Sequence, residues 1–198
     1  MVEPVASAEP TQTEEQKQQP PEMTEEEKAE QEKKVKQWND SQTMPEMGIF
    51  DRQIRIQNWN QSKVEEQVCL LLGVGGLGSG VAMGLARLGV KKMILLDKDT
   101  VDISNMNRQI MYKLTDVGKP KAETCKTNLI EQHVIAEHTQ VEAHQMDALT
   151  NWDKIVNFVE ESDVIFNMID VGEYWDVAMQ SLCMKKQKLM ICGGTFCQ

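Results

Sequence analysis

Gly73-Val-Gly-Gly-Leu-Gly78 sets Gly73, Gly75 and Gly78 at the spacing Gly-x-Gly-x-x-Gly, with Gly76 as a further glycine inside it. An apolar run, Gln67 to Leu72, precedes this loop, and a segment of helical period follows it. In that setting the first glycine permits a tight turn, the second lets backbone approach a phosphate, and the third lets helix and strand pack closely. The helix start adds unpaired N–H groups and partial positive charge for an anion. Asp97 closes the next apolar run, nineteen residues after Gly78. A carboxylate there accepts hydrogen bonds from ribose hydroxyls. These residues fit NAD, FAD or ATP equally; a strand–helix turn without a ligand is the alternative.

The elements that must position them follow from period and punctuation. Gln67–Leu72, Lys92–Leu96, a stretch around Val141, Asp163–Met168 and Lys188–Cys192 read as strands. Between them, Ser79–Leu88, Lys119–Gln132, Thr150–Glu161 and Glu173–Lys185 read as helices, the first ended by Gly89. Strands alternating with helices predict an α/β fold: a doubly wound, mostly parallel Rossmann-like sheet with helices on both faces. Ligands of such sheets sit at the carboxyl ends of the strands. Residues 1–48 differ in kind. Glu, Gln and Lys dominate them, and they hold too few apolar side chains to offset the entropy of ordering. They are expected to form a disordered acidic tail, or a solvated helix over Thr24–Gln37, ahead of one folded domain at 49–198.

Composition narrows the function. The chain has 198 residues, a hydrophobic fraction of 40% and a formal net charge of -10. That charge disfavours nucleic-acid backbones but leaves room for a few placed cations around one nucleotide. No apolar run reaches the roughly 18 residues a membrane span needs, and no secretory signal stands at the start. Five cysteines, an odd number, imply free thiols in a reducing compartment, the cytosol or the nucleus. Cys69, Cys125 and Cys183 fall in elements where a thiol acts as a small hydrophobe, whereas Cys197 is the least constrained. His133, His138 and His144 lack metal-ligand spacing and are read as solvated.

Beyond Asp97 the pattern becomes specific. Ser104-Asn105-x-x-Arg108-Gln109 follows it, then Gly118-Lys-Pro-Lys121, and Phe50-Asp-Arg-Gln-Ile54 stands upstream. With the glycine loop, these four motifs resemble in order and spacing the adenylating enzymes of the ubiquitin-activating (E1-like), ThiF, MoeB and HesA kind. The resemblance covers about 150 residues, Ile49 to the end. It implies ATP and Mg²⁺ as cofactors. It also implies a reaction: adenylation of the C-terminal carboxylate of a ubiquitin-like modifier or sulfur-carrier protein, giving an acyl-adenylate and pyrophosphate. By the same resemblance Gly73, Gly75, Gly76, Gly78 and Asp97 hold the nucleotide. Arg108 and Lys121 meet its phosphates, and Asn105 and Gln109 position it by hydrogen bonds. Asp170 carries the metal, and Arg52 reaches the site of a neighbouring subunit, so a homo- or heterodimer is expected. The chemistry calls for such a set. The attacking carboxylate is already ionised, so the barrier is the approach of an anion to a polyanion, and placed cations lower it.

The chain departs from the family's pattern after Asp170. Val171 stands where the family has Asn, and no Arg appears before Lys185. The sequence ends soon after Gly193-Gly194 and contains no Cys-x-x-Cys, so structural zinc is not expected within it. Two rival readings remain: a non-catalytic subunit that dimerises and supplies an arginine in trans, and adenylation of a small molecule or RNA base.

Overall fold

The computed structural model describes residues 24, 26–30, 32–34, 45–131 and 138–194. Two compact units divide the chain, Met1–Gly48 and Ile49–Gln198. In the first, 26–30 and 32–34 are helical. Thr24 and Glu27 cap this stretch reciprocally: the Thr24 N–H donates to Glu27 Oε2 at 2.8 Å, and the Glu27 N–H to Thr24 Oγ1 at 3.3 Å. A Lys34–Glu30 ion pair one turn apart follows, at 2.7 Å. Residues 45–48 fall in a 3-10 segment, Pro45–Phe50, and the rest of the expected tail lies outside the described residues.

The second unit runs α1 (Gln61–Glu65), β1 (Val68–Leu72), α2 (Gly76–Leu88), β2 (Lys92–Asp97), α3 (Lys121–Glu131), β3 (Gln140–Gln145), α4 (Trp152–Glu161), β4 (Val164–Asn167), α5 (Glu173–Lys186) and β5 (Leu189–Cys192). The sheet order is β3-β2-β1-β4-β5, and every pairing is parallel. This is the Rossmann-like α/β fold that the alternating pattern predicts.

Period-2 side chains divide the core. Cys69, Leu71, Met93 and Leu95 face α2 and α3, where Leu85, Ala86, Cys125 and Leu129 meet them. Leu70, Leu72, Ile94, Leu96 and Ile165 face α4 and α5, against Ile155, Val159, Trp175 and Met179. Burying each such side chain contributes about 2 kcal/mol. Strands covered on both faces have no polar alternation, which is why they read as continuous apolar runs.

Element boundaries shift where loops make tertiary bonds. Helix α2 begins at Gly76, three residues before the expected Ser79, because it winds directly out of the glycine loop with Gly75 as N-cap. Helix α3 begins at Lys121 rather than Lys119. The preceding residues pair with the loop after β2 instead: the Val101 N–H donates to Lys119 O, and the Gly118 N–H to Val101 O, both at 2.8 Å. Helix α1 and the single turns at Ile103–Asn105 and Leu114–Asp116 are too short for a periodic signal. Among the described residues, no helix is long and apolar enough to cross a membrane.

Candidate nucleotide-binding site

Strand order reverses between β1 and β4, so the loops after them diverge and leave a crevice at the carboxyl edge. A cleft of about 280 Å³ lies there, lined by Gly73, Gly75, Asp97, Asp99, Lys121 and Asp170 among others.

The glycine loop is built for close approach. Gly73 has φ 88°, and a Cβ there would lie 3.0 Å from Met168 O. Its N–H donates to Leu96 O at 2.8 Å, tying β1 to the end of β2. At Gly78 an added Cβ would collide with Gly73 O and come within 2.8 Å of its carbonyl carbon. The third glycine therefore serves helix–strand contact, as its spacing implies. Over Gly76 lies the Arg108 side chain, whose Cγ would stand 3.8 Å from an added Cβ.

Asp97 is buried at the tip of β2, and both its oxygens take backbone donors: Val74 N–H at 2.9 Å to Oδ2, and Asp99 N–H at 2.9 Å to Oδ1. Besides lining the cleft, it fastens the glycine loop to the loop after β2. Asn105 is buried and accepts from the Asp102 N–H at 3.0 Å, closing a one-turn cap. From that turn Arg108 extends along the surface, its Nη1 donating to Ser104 O at 2.8 Å. Gln109 is turned inward, with Nε2 3.7 Å from where a Cβ on Gly75 would lie. Ser79 Oγ and Gln109 Oε1 are buried and have no hydrogen-bond partner among the described residues.

Lys121 opens α3 with only 6% exposure. Its Nζ pairs with Asp99 Oδ2 at 3.0 Å, and its N–H donates to Asp99 O at 3.0 Å. The Tyr112 hydroxyl lies 2.7 Å from Val74 O and 3.3 Å from Lys121 O, bridging the glycine loop to α3. Burial pushes this phenol far up, so it stays protonated and donates.

Asp116 is a functional support that sequence reasoning missed. Its Oδ2 accepts from Asn128 Nδ2 at 2.8 Å and from the Lys113 N–H at 3.0 Å, and Oδ1 faces Lys119 Nζ at 3.0 Å. Asn128 also donates to Met111 O at 2.7 Å. The cluster fixes α3, and so Lys121, relative to the Arg108–Gln109 loop. Burial pushes the Asp116 carboxyl up, but hydrogen bonds from Asn128, Lys119 and the Lys113 N–H more than offset this and hold it below the ordinary carboxylate value. A carboxyl lowered by folding stabilises above its unfolded pKa, and that contribution is lost as pH falls through the folded value. Asp116→Ala is therefore expected to cost about 2 kcal/mol at pH 7 in urea unfolding, with the gap to the wild-type chain narrowing below about pH 4.

Asp170 reaches the cleft from the loop after β4. Ahead of that loop stands buried Asn167, whose Oδ1 accepts from Trp175 Nε1 at 2.8 Å and whose Nδ2 donates to Asp176 Oδ1 at 2.7 Å. This amide clamp pins both ends of the Asp170 loop. The cleft holds four carboxylates, Asp97, Asp99, Asp147 and Asp170, against two ammonium groups, Lys98 and Lys121. Backbone donors occupy Asp97, Lys121 pairs with Asp99, and Lys98 pairs with Asp147 at 3.4 Å. Asp170 alone of the four has no such partner among the described residues. An exposed carboxylate is the oxygen donor a hard divalent cation takes, and among the described residues no three metal-capable side chains converge on one point, so Asp170 would be a single protein ligand.

Arg52 is not in the cleft of its own chain. Beside it, Gln53 Nε2 donates to Leu88 O at 3.4 Å and the Phe50 ring covers Gly89, so this segment packs on the far end of α2. At about 1.5 Å per residue, the 13 residues of α2 separate the two places by roughly 20 Å.

Among the described residues, the cysteines and histidines do not line the cleft. Cys69, Cys125 and Cys183 are buried. Burial pushes the Cys69 and Cys125 thiols up to about 12, which keeps them protonated and unreactive. Of the histidines, His138 is exposed, as the solvated reading expects, and His144 departs from it. The His138 ring nitrogen Nε2 lies 2.9 Å from Gly89 O, and His144 is half-buried on β3 with its ring 4.8 Å from that of Phe158. His133 and Cys197 lie outside the described residues.

Comparison with known proteins agrees with the fold. The model of the ThiF family matches residues 50–197. Ubiquitin-like modifier-activating enzyme 5 of Caenorhabditis elegans is 37% identical over 111 residues, which are 55% of this chain and 26% of that protein. Molybdopterin-synthase adenylyltransferase of Escherichia coli (strain K12) is 31% identical over 128 residues, 63% of this chain and 49% of that protein. The crystal structure of PaaA superposes with a TM-score of 0.65 at 26% identity, covering 77% of this chain and 52% of that one. The chain thus spans a quarter to a half of the length of these curated relatives.

Proposed function

This chain belongs to the ThiF family, and from that premise we propose that it binds MgATP and adenylates the C-terminal carboxylate of a ubiquitin-like modifier or sulfur-carrier protein. One observation carries the reading. The glycine loop, Lys121 and Asp170 come from three separate segments and converge on one cleft at the carboxyl edge of the sheet. Nothing in hydride transfer calls for a buried lysine together with an exposed aspartate there. Adenylation needs both.

In this reading the phosphates lie over the glycine loop at the start of α2, with Arg108 above Gly76 and Lys121 opposite. Ser79 Oγ, which has no hydrogen-bond partner among the described residues, can donate to a phosphate oxygen, and Gln109 Oε1, likewise without one, can accept only from a hydroxyl or amino group of the nucleotide. A carrier carboxylate oxygen attacks the α-phosphorus. As that O–P bond forms, the bond to the β-phosphate's bridging oxygen breaks and pyrophosphate leaves with the electron pair. No proton moves, because the nucleophile is already ionised at neutral pH. Arg108 and Lys121 offset charge on the phosphates. Asp170 would hold Mg²⁺, which neutralises the triphosphate when bound. Arg52, remote from its own cleft, acts in a partner subunit, so the working unit is a dimer.

Calorimetric titration with ATP in the presence and absence of Mg²⁺ tests this reading. ATP is expected to bind, and Asp170→Asn to weaken binding by about tenfold with Mg²⁺ but much less without it. Pyrophosphate exchange into ATP should then appear on adding the cognate carrier protein. A folded chain that binds NAD and not ATP would overturn the proposal. A chain that binds no ATP alone, but raises exchange by a second ThiF-type subunit through Arg52, would support the non-catalytic alternative.

A further inference from the structure

Lys121 and Asp99 are unequal partners in their ion pair. The lysine side chain is almost wholly enclosed, at 8% exposure, whereas that of Asp99 is 54% exposed. An ammonium enclosed to this degree needs an anion beside it. Asp99 Oδ2 supplies one at 3.0 Å. The backbone of Lys121 cannot move away to find another. Its N–H is held by Asp99 O at 3.0 Å, its carbonyl lies 3.3 Å from the Tyr112 hydroxyl, and Pro120 just before it bridges to Thr100. Both charged groups line the same cleft.

We propose that Asp99 is the resident counterion of Lys121, holding its ammonium in the cleft before nucleotide arrives and yielding it to a phosphate when nucleotide binds. This deepens, and rests on, the reading of the cleft as a site for ATP phosphates. The asymmetry decides which partner gives way. A half-exposed carboxylate rehydrates readily, while the enclosed, backbone-anchored lysine stays and accepts the incoming anion. Asp99 is thus a positioning residue with two opposed effects. It keeps Lys121 charged and placed, and it competes with phosphate for the same ammonium. No role for Asp99 follows from the motif that contains it, because the pairing spans 22 residues and exists only once the loop after β2 folds against α3.

The discriminating variant is Asp99→Asn, which keeps the shape of the side chain and removes its charge. The probe is inorganic pyrophosphate without divalent metal, titrated by calorimetry into the wild-type and variant chains, with thermal melts of each at zero and saturating pyrophosphate. The variant is expected to melt lower than the wild-type chain without ligand, to bind pyrophosphate on the order of tenfold more tightly, and to gain more in Tm on saturation. Asp99→Glu, which keeps the charge, is expected to bind pyrophosphate as the wild-type chain does. A purely structural role for Asp99 cannot tighten binding. With wild-type binding intact, an unchanged or weakened affinity in the Asp99→Asn variant overturns this inference alone. If the wild-type chain binds neither pyrophosphate nor ATP, the phosphate-site reading fails and this inference with it.

Discussion

Lys121→Ala is expected to cut carrier-dependent ATP–pyrophosphate exchange by on the order of a hundred- to a thousandfold while the fold persists, because it removes a preorganised charge in an enclosed site. Among the described residues, the side chain is the only ammonium enclosed in the cleft; Lys98, the other lining lysine, is half exposed and paired with Asp147. A charge so enclosed acts through a lower dielectric than a surface one and needs no reorganisation when negative charge builds up on the phosphates. Stability should change little. Alanine is the best helix former for the first position of α3, and the orphaned Asp99 carboxylate is exposed enough to be hydrated. Exchange kinetics and a thermal melt on the same preparation separate the two effects. Near-wild-type exchange would remove Lys121 from the mechanism, and a collapsed melt would mean that the lysine serves the fold instead. The variant is also a counterpart to Asp99→Asn. Deleting the lysine should weaken pyrophosphate binding, and neutralising its counterion should strengthen it. Opposite signs at two touching residues are hard to obtain from general damage to the loop.

What could be read in advance and what could not follow from the range of the interactions. Strands β1 and β2 announce themselves because Leu70, Leu71, Ile94 and Leu95 are buried on both faces, so local composition alone reports them. The start of α2 does not, since Gly76 and Gly78 in its first turn carry little helical propensity and the turn forms where Gly78 packs against Gly73. The site divides in the same way. Spacing singles out Asp97 for a ribose, yet its bonds to the Val74 and Asp99 N–H groups make it equally a fastener of the glycine loop. Arg108, Lys121 and Asp170 stand in a recognisable order. What holds them does not: the Asp116–Asn128 cluster and the Asn167–Trp175 clamp are contacts between loops and helices, with no period or motif to mark them. Arg52 shows the limit of a motif: the sequence marks it out, while the fold places its segment on the far end of α2, away from the cleft, with Asp51 at 3.7 Å from its Nε.

Gly78→Ala should be among the most damaging single-methyl changes in this chain. It is expected to lower stability by about 3 kcal/mol or more and to abolish nucleotide binding with it. The added Cβ would overlap Gly73 O, and neither side can retreat. Gly73 sits at φ 88° with Met168 O 3.0 Å from its own would-be Cβ, and its N–H is committed to Leu96 O at 2.8 Å. Relief requires the first turn of α2 to lift off β1, which pulls the Val74 N–H from Asp97 and the Val74 carbonyl from Tyr112. The same movement displaces the N–H groups that would meet phosphate. Gly80, two residues along the same helix, is the control. A Cβ there meets nothing within 4 Å. Gly80→Ala should therefore raise stability by about 0.5–1 kcal/mol through helix propensity alone and leave ATP affinity untouched. Urea unfolding and ATP titration of both variants set a steric clash against a propensity gain. Equal behaviour of the two would show that the glycine loop tolerates a side chain at its closest contact, and that the tight strand–helix packing is not what shapes the site.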